Sequence, residues 1–155
     1  MKKYSPGIKR VMQYLTLCSL IAFNANAASI KNKTFGNLSV AEITSIYDGD
    51  TFRANIYGLH PLIGEHIGIR VAGVDTPEIR GKCAKEKKLA RQAKQITVNF
   101  LRSANVIELR NVKRGKYFRI VAEVYGDGKS LTNSLINSGL AVAYDGGKKS
   151  KNWCG

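Results

Sequence analysis

Three short segments of the 155-residue chain carry side chains able to do chemistry. Asp48-Gly49-Asp50-Thr51 places two carboxylates around a tight turn. Arg70-Val71-Ala72-Gly73-Val74-Asp75-Thr76-Pro77-Glu78 packs a cation, two carboxylates and a hydroxyl into the end of one strand and the turn after it. Lys116-Tyr117-Phe118-Arg119 brings a second arginine from a different strand. Carboxylate and carbonyl oxygens suit a hard divalent cation. Arginine forks suit an anionic group with several oxygens, held bidentately. The first segment alone reads equally well as a plain hairpin turn, because Asp-Gly is a favoured turn pair. The second is more specific: Pro77 disfavours helix at Thr76, so Asp75 and Glu78 are presented by an extended, fixed backbone.

These segments need elements to hold them. Leu38 to Tyr47 is rich in β-branched residues and reads as a strand that stops at the Asp-Gly-Asp turn. Thr51 to Tyr57 resumes it as a hairpin. After a loop with Gly58, Pro61 and Gly64, His66 to Val71 alternates at period two, with Ile67, Ile69 and Val71 on one face and His66, Gly68 and Arg70 on the other. Arg70 is therefore expected to point away from the most apolar side. Residues 84–103 switch to helical spacing, with Leu89, Ala93, Ile96 and Phe100 on one stripe and a run of basic residues largely outside it. Asn105 to Val112 and Tyr117 to Tyr125 are predicted as two strands joined by the basic turn Lys113-Arg114-Gly115-Lys116. Ser130 to Ser138 is predicted as a short helix closed by Gly139, and Ala141 to Tyr144 as a last short strand before a polar tail. Five strands of modest length with interleaved helices fit a small α+β domain, mainly β, built on an OB-fold-like barrel.

Composition bounds the function. Lys and Arg number 25 against 11 Asp and Glu, a formal charge of +14, which calls for an anionic partner: nucleic acid, anionic lipid or acidic protein. Lys2, Lys3, Lys9 and Arg10 precede an apolar stretch from Val11 to Phe23 that is short for a bilayer span and ends in Ala25-Asn26-Ala27. Residues 1–27 are read as an export signal cleaved before Ala28, leaving residues 28–155 as one domain with no stable membrane anchor. The cleavage removes four basic residues and no acidic ones, so the domain keeps 21 basic against 11 acidic residues, or +10. Cys18 leaves with the signal, and Cys83 and Cys154 are expected to form a disulfide in an oxidising compartment. Closing a loop of that size stabilises by about 4 kcal/mol in the chain-entropy account.

Taken in order and spacing, these motifs resemble the staphylococcal-type thermonuclease (micrococcal nuclease-like) family. The elements carrying the likeness are Asp48-Gly49-Asp50-Thr51, Arg70 with Asp75-Thr76-Pro77-Glu78, Lys116-Tyr117-Phe118-Arg119, and Asn133 with Leu135-Ile136 and Ser138-Gly139-Leu140-Ala141. The resemblance runs from about Val40 to Tyr144. It implies a five-stranded OB-like barrel with about three helices, and a calcium-dependent nuclease that hydrolyses DNA and RNA through the phosphate backbone, leaves 3′-phosphate ends, and acts as an exported monomer, periplasmic or extracellular. By the same resemblance Asp50 and Asp75 are calcium ligands and Thr76 lends its backbone carbonyl. Arg70 and Arg119 are the catalytic arginines and Glu78 is the general base. Lys116, Tyr117 and, more loosely, Tyr144 contact a terminal phosphate and the nucleotide. Phe118 departs from the small Gly that other members place before the second arginine, which bears on the local shape there.

Other polar residues have plainer roles. His66 is one of two histidines without metal-ligand spacing and is assigned to the surface or to packing. Glu86 falls on the inner side of the long helix as a partly buried acid satisfied by hydrogen bonds. The competing function is a non-catalytic nucleic-acid-binding module on the same barrel. A lapsed enzyme would lack one of Asp50, Arg70, Asp75, Glu78 or Arg119, and all five are present. A membrane-surface role gains little once the basic helix is part of a closed fold.

Overall fold

The computed structural model describes residues 33–155, so the expected export signal at 1–27 lies outside the described residues. The chain from Thr34 onwards forms one compact unit. Strands β1 (Leu38–Ile46), β2 (Thr51–Ile56) and β3 (Ile67–Val71) form an antiparallel run. Between β2 and β3 lies a single turn of helix, α1 (Pro61–Gly64), started by Pro61 and capped by the His60 ring, whose Nδ1 accepts from the Leu62 N–H. A two-residue strand β4 (Val74–Asp75) leads to the long helix α2 (Ala84–Ser103). Then follow β5 (Ile107–Arg114), β6 (Ile120–Gly126), the short β7 (Lys129–Ser130), α3 (Leu131–Asn137) and β8 (Val142–Ala143).

The neighbour order β3-β2-β1-β5-β6, with β6 returning to pair parallel with β3, closes five strands into a barrel. Closure leaves no long free edge among these strands. The inside is filled by the alternate residues of each strand: Phe52, Ala54 and Ile56, then Ile67, Ile69 and Val71, then Ala122 and Val124. Leu109 and the helix residues Leu101, Leu131 and Leu135 belong to the same buried core. The expected mainly-β barrel with helices packed against it is thus the observed fold.

Local differences have physical causes. The buried side of α2 is Glu86, Ala90, Ala93, Thr97 and Leu101, whereas the expected stripe members Leu89, Ile96 and Phe100 are only half-buried at its flank. Hydrophobic spacing missed this rotation because two of the buried positions are polar and have specific partners. Strand β5 continues to Arg114 because a bulge between Arg110 and Lys113 inserts Asn111 at φ 52° and shifts the register. Strand β6 starts at Ile120, not Tyr117, since Tyr117 and Phe118 are two consecutive residues with left-handed backbone, which turns the chain out of the ladder. The connecting turn is accordingly 115–119. Ser130 caps α3 by accepting from the Asn133 N–H, and Gly139 at φ 73° ends it.

Candidate active site

The turn after β1 and the end of β3 meet in one acid corner. Asp48, Asp50 and Asp75 are 3%, 1% and 2% exposed, which for carboxylates demands specific partners. Asp50 Oδ2 accepts from both the backbone N–H and the hydroxyl of Thr76, each at 3.0 Å, while its Oδ1 accepts from the Thr51 hydroxyl at 3.0 Å. Arg70 forms an ion pair with Asp50 through Nη1. Its Nη2 donates to the Val74 carbonyl at 3.2 Å and lies 3.4 Å from Asp75 Oδ1. Arg70 does sit on the strand face opposite Ile67, Ile69 and Val71, half-buried. It spans the two acid-bearing segments because β2 and β3 pair Thr51 with Arg70.

Glu78 is held by two neighbours. Its backbone N–H donates to Glu86 Oε1 at 3.4 Å, and its side chain pairs with Lys149 of the C-terminal tail. Lys149 Nζ also reaches Asp75 Oδ1 at 2.8 Å. Glu86 is the buried acid expected from the sequence: its Oε2 accepts from the Lys82 N–H at 2.9 Å, so one carboxylate organises the whole 78–82 loop. The loop folds this closely because Gly81 has no side chain; a Cβ there would lie 2.3 Å from the Glu86 carboxylate carbon. Cys83 caps α2, its sulfur accepting from the Glu86 N–H, and is bridged to Cys154 with Cα atoms 5.9 Å apart. Cys83, Glu86 and Cys154 also cluster closely, but both sulfurs are consumed by the bridge and leave no thiolate for a metal.

Arg119 approaches from the 115–119 turn. Its aliphatic stem lies on β3 at Gly68, where an added Cβ would sit 2.9 Å from Arg119 Cγ. Gly68 and Arg70 share a strand face two positions apart, roughly 7 Å along the chain, so both arginines are brought to one side of the barrel. Arg119 Nε donates to the Lys116 carbonyl at 3.4 Å, and its guanidinium carbon lies 5.9 Å from the Tyr117 ring centre. Tyr117 itself is 89% exposed. Lys116, Tyr117 and Tyr144 make no described contact with the acid corner. The Tyr144 hydroxyl donates to the Gly147 carbonyl at 2.6 Å, placing it at the root of the tail. His66, at φ 52°, is exposed and bonded to the Thr44 hydroxyl, a surface role.

The electrostatics of the corner are unbalanced. Burial, then the nearby charge of Glu78, pushes the Asp48 carboxyl up to about 6 against the opposing pull of Arg70 and Thr51. For Lys149, burial works to lower the ammonium's pKa, but hydrogen bonds to Asp75 and Glu78 outweigh it and the net shift is upward. Four carboxylates (Asp48, Asp50, Asp75 and Glu78) face two cations (Arg70 and Lys149), leaving two negative charges over. Buried hard oxygen donors with a surplus of two charges fit a divalent cation. Asp48 belongs to the Asp-Gly-Asp motif read from sequence, but that reading gives a ligand role to Asp50 alone; nothing local in the sequence marks Lys149.

The profile of the family described as Staphylococcal nuclease homologue matches residues 68–153. A probable endonuclease of Schizosaccharomyces pombe is 29% identical over 146 residues, covering 78% of this chain and 62% of that protein. A probable endonuclease of Phaeosphaeria nodorum is 30% identical over 123 residues, covering 75% of this chain and 38% of that protein. The chain thus spans less than two thirds of either relative's length. The matched residues include Arg70, Asp75, Thr76, Glu78 and Arg119 as well as the tail that carries Lys149. With this match over more than half of its length and a five-stranded closed barrel, the chain belongs to the staphylococcal nuclease homologue family.

Proposed function

We propose that this protein is an exported, calcium-dependent, sugar-nonspecific endonuclease that hydrolyses phosphodiester bonds of DNA and RNA and leaves 3′-phosphate ends. The observation that carries this reading is the acid corner: buried Asp48, Asp50 and Asp75 around Arg70, with two negative charges left over. Asp50, Asp75 and the Thr76 carbonyl would hold the cation. When bound, calcium neutralises charge on the phosphodiester and helps to position water.

This chain's own residues do the rest. Attack on phosphorus adds charge to the non-bridging oxygens, and the forks of Arg70 and Arg119, brought to one side of the barrel, accept it bidentately. Glu78, half-exposed and paired with Lys149, takes a proton from the attacking water. Lys116 and Tyr117 extend the contact along the strand, with Tyr144 as a looser third. Basic residues of α2 and of the 113–116 stretch attract the polyanion through its backbone, which favours neither base nor sugar. Residues 1–27 direct export to a periplasmic or extracellular compartment, an assignment supported by the cystine at Cys83 and Cys154. The domain, residues 28–155, works as a monomer.

The test is incubation of purified protein with plasmid DNA and with single-stranded RNA, in calcium, in magnesium and in chelator. Cleavage of both polymers in calcium and none in chelator is expected. Intact nucleic acid in every calcium lane would replace this reading by the non-catalytic binding module. Sequencing the amino terminus of the exported protein checks the cleavage, with Ala28 the expected first residue.

A further inference from the structure

Lys149 comes to the acid corner from 74 and 71 residues away in the chain, and the fold rather than chance proximity brings it there. The tail 145–155 contains no helix or strand, yet it is fastened at both ends. At its root, β8 pairs with β4, the strand that carries Asp75, and the Tyr144 N–H donates to the Gly73 carbonyl at 3.1 Å. At its far end Cys154 is bridged to Cys83, the cap of α2, whose Glu86 holds the Glu78 backbone. Trp153 is buried beside that bridge in sequence. The two anchors are thus the elements that carry, or brace, the two carboxylates Lys149 touches. An ordinary surface lysine pair is worth little because both partners stay in water. Here one acceptor, Asp75, is 2% exposed, so the ammonium answers a buried charge.

We propose that Lys149 is a second built-in cation of this site, beside Arg70: strapped across it by the Cys83–Cys154 bridge, it competes with the divalent cation for Asp75 and so sets how readily the metal enters. This rests on the reading of Asp50 and Asp75 as metal ligands. The ammonium engages the Asp75 carboxylate through Oδ1, and its positive charge repels a second cation nearby. Lys149 is a positioning residue, since it acts through Asp75 and Glu78 and not on substrate.

The test is calorimetric titration of calcium into the purified protein without nucleic acid. Lys149→Ala is expected to bind calcium roughly three- to tenfold more tightly than wild type, the scale of one partly exposed like charge. Lys149→Arg, which keeps the charge, is expected to stay near wild type. Cys83→Ser/Cys154→Ser is expected to shift in the same direction as Lys149→Ala, and combining all three to add little, because both changes act through one contact. If the cysteine variant does not fold, Gly-Gly inserted between Lys151 and Asn152 slackens the strap with the bridge intact and carries the same expectation. Wild type that takes up calcium with Lys149→Ala at unchanged or weaker affinity overturns this inference alone. Wild type that takes up no calcium overturns the metal-site reading and this inference with it. A Lys149→Ala effect that neither slackened variant reproduces removes the strap from the proposal.

Discussion

Arg70 and Arg119 come to one side of the barrel, the stem of Arg119 packing on Gly68, two positions from Arg70 along β3, yet the chain holds them in opposite ways. Arg70 issues from a central strand, pairs with Asp50 and Asp75, and donates to the Val74 carbonyl, so its head is fixed by buried groups. Arg119 follows two consecutive non-glycine residues with positive φ, Tyr117 at 56° and Phe118 at 58°. Its described polar contact is to the carbonyl of Lys116, in its own turn. The first arginine is part of the structure it sits in; the second is offered outward by a turn under strain. On the proposed nuclease reading the two have different tasks: one keeps a carboxylate cluster assembled, and the other closes on an incoming phosphate.

That contrast is open to direct test, beginning with the largest effects. Arg70→Ala is expected to lower nuclease activity by at least ~10²–10³-fold. It is also expected to destabilise the fold by about 3–5 kcal/mol, because it leaves the buried Asp50 without its cation; kinetics and urea denaturation read the two effects separately. Arg119→Ala should lose activity on the same ~10²–10³ scale with its urea midpoint nearly unchanged. If both variants unfold equally easily, the distinction between a structural and a presented arginine fails. An Arg119→Ala protein with undiminished activity would falsify its place in the site.

Smaller effects probe each region alone. In chelator at pH 8, Asp48→Asn is expected to stabilise the protein by on the order of 1–3 kcal/mol, since it removes a charge that burial and Glu78 oppose. The sign follows from the raised carboxyl. Its stabilising contribution is complete below the ordinary value of 3.8 and is lost as pH rises through about 6. The gain from Asn should therefore appear above pH 6 and vanish near pH 4; the same gain at both pH values would break the charge explanation. At the other region, left-handed backbone costs a non-glycine residue roughly 1–2 kcal/mol, from which glycine's extra freedom in the unfolded chain removes about 0.5–1. Phe118→Gly is thus expected to raise stability by roughly 0.5 kcal/mol, and a measured loss would mean that the Phe118 ring, 5.6 Å from the Arg114 guanidinium carbon, contributes more than its strain.

What could be read from residues alone follows the same division. The barrel strands and the bounds of α2 were legible because Ile67, Ile69 and Val71, or Phe52, Ala54 and Ile56, alternate without interruption. The Arg70 to Glu78 run was legible because its chemistry is concentrated in nine consecutive residues. Polar residues in buried places defeated the pattern. Glu86 is expected on the inward side of α2 and lies there, but Thr97 is also inward, and hydrophobic spacing places the stripe on Leu89 and Ile96 instead. Asp48 looked like half of a turn. The two-stranded β4–β8 pairing is too short to show a period, so nothing announced that the tail returns to Asp75. Lys149 was accordingly invisible: its role depends on a disulfide and a strand pair, not on any neighbour in sequence. Phe118 was noticed as a departure, and its φ supplies the reason a glycine is at ease there.

Gly49, between the two aspartates of the first turn, has no positive φ and is not there for backbone freedom. A Cβ on it would lie 2.8 Å from the Ala93 Cβ of α2 and 2.9 Å from Thr76 Cγ2. Its carbonyl accepts from the Thr97 hydroxyl at 2.5 Å. The acid turn is therefore seated directly on the long helix, with no slack layer between them. Heat cannot loosen the one and spare the other: the turn should keep its shape until the helix leaves the barrel, and then lose it at once. Thermal inactivation should coincide with global melting instead of preceding it, which would make this protein robust almost up to the temperature at which it has no structure left.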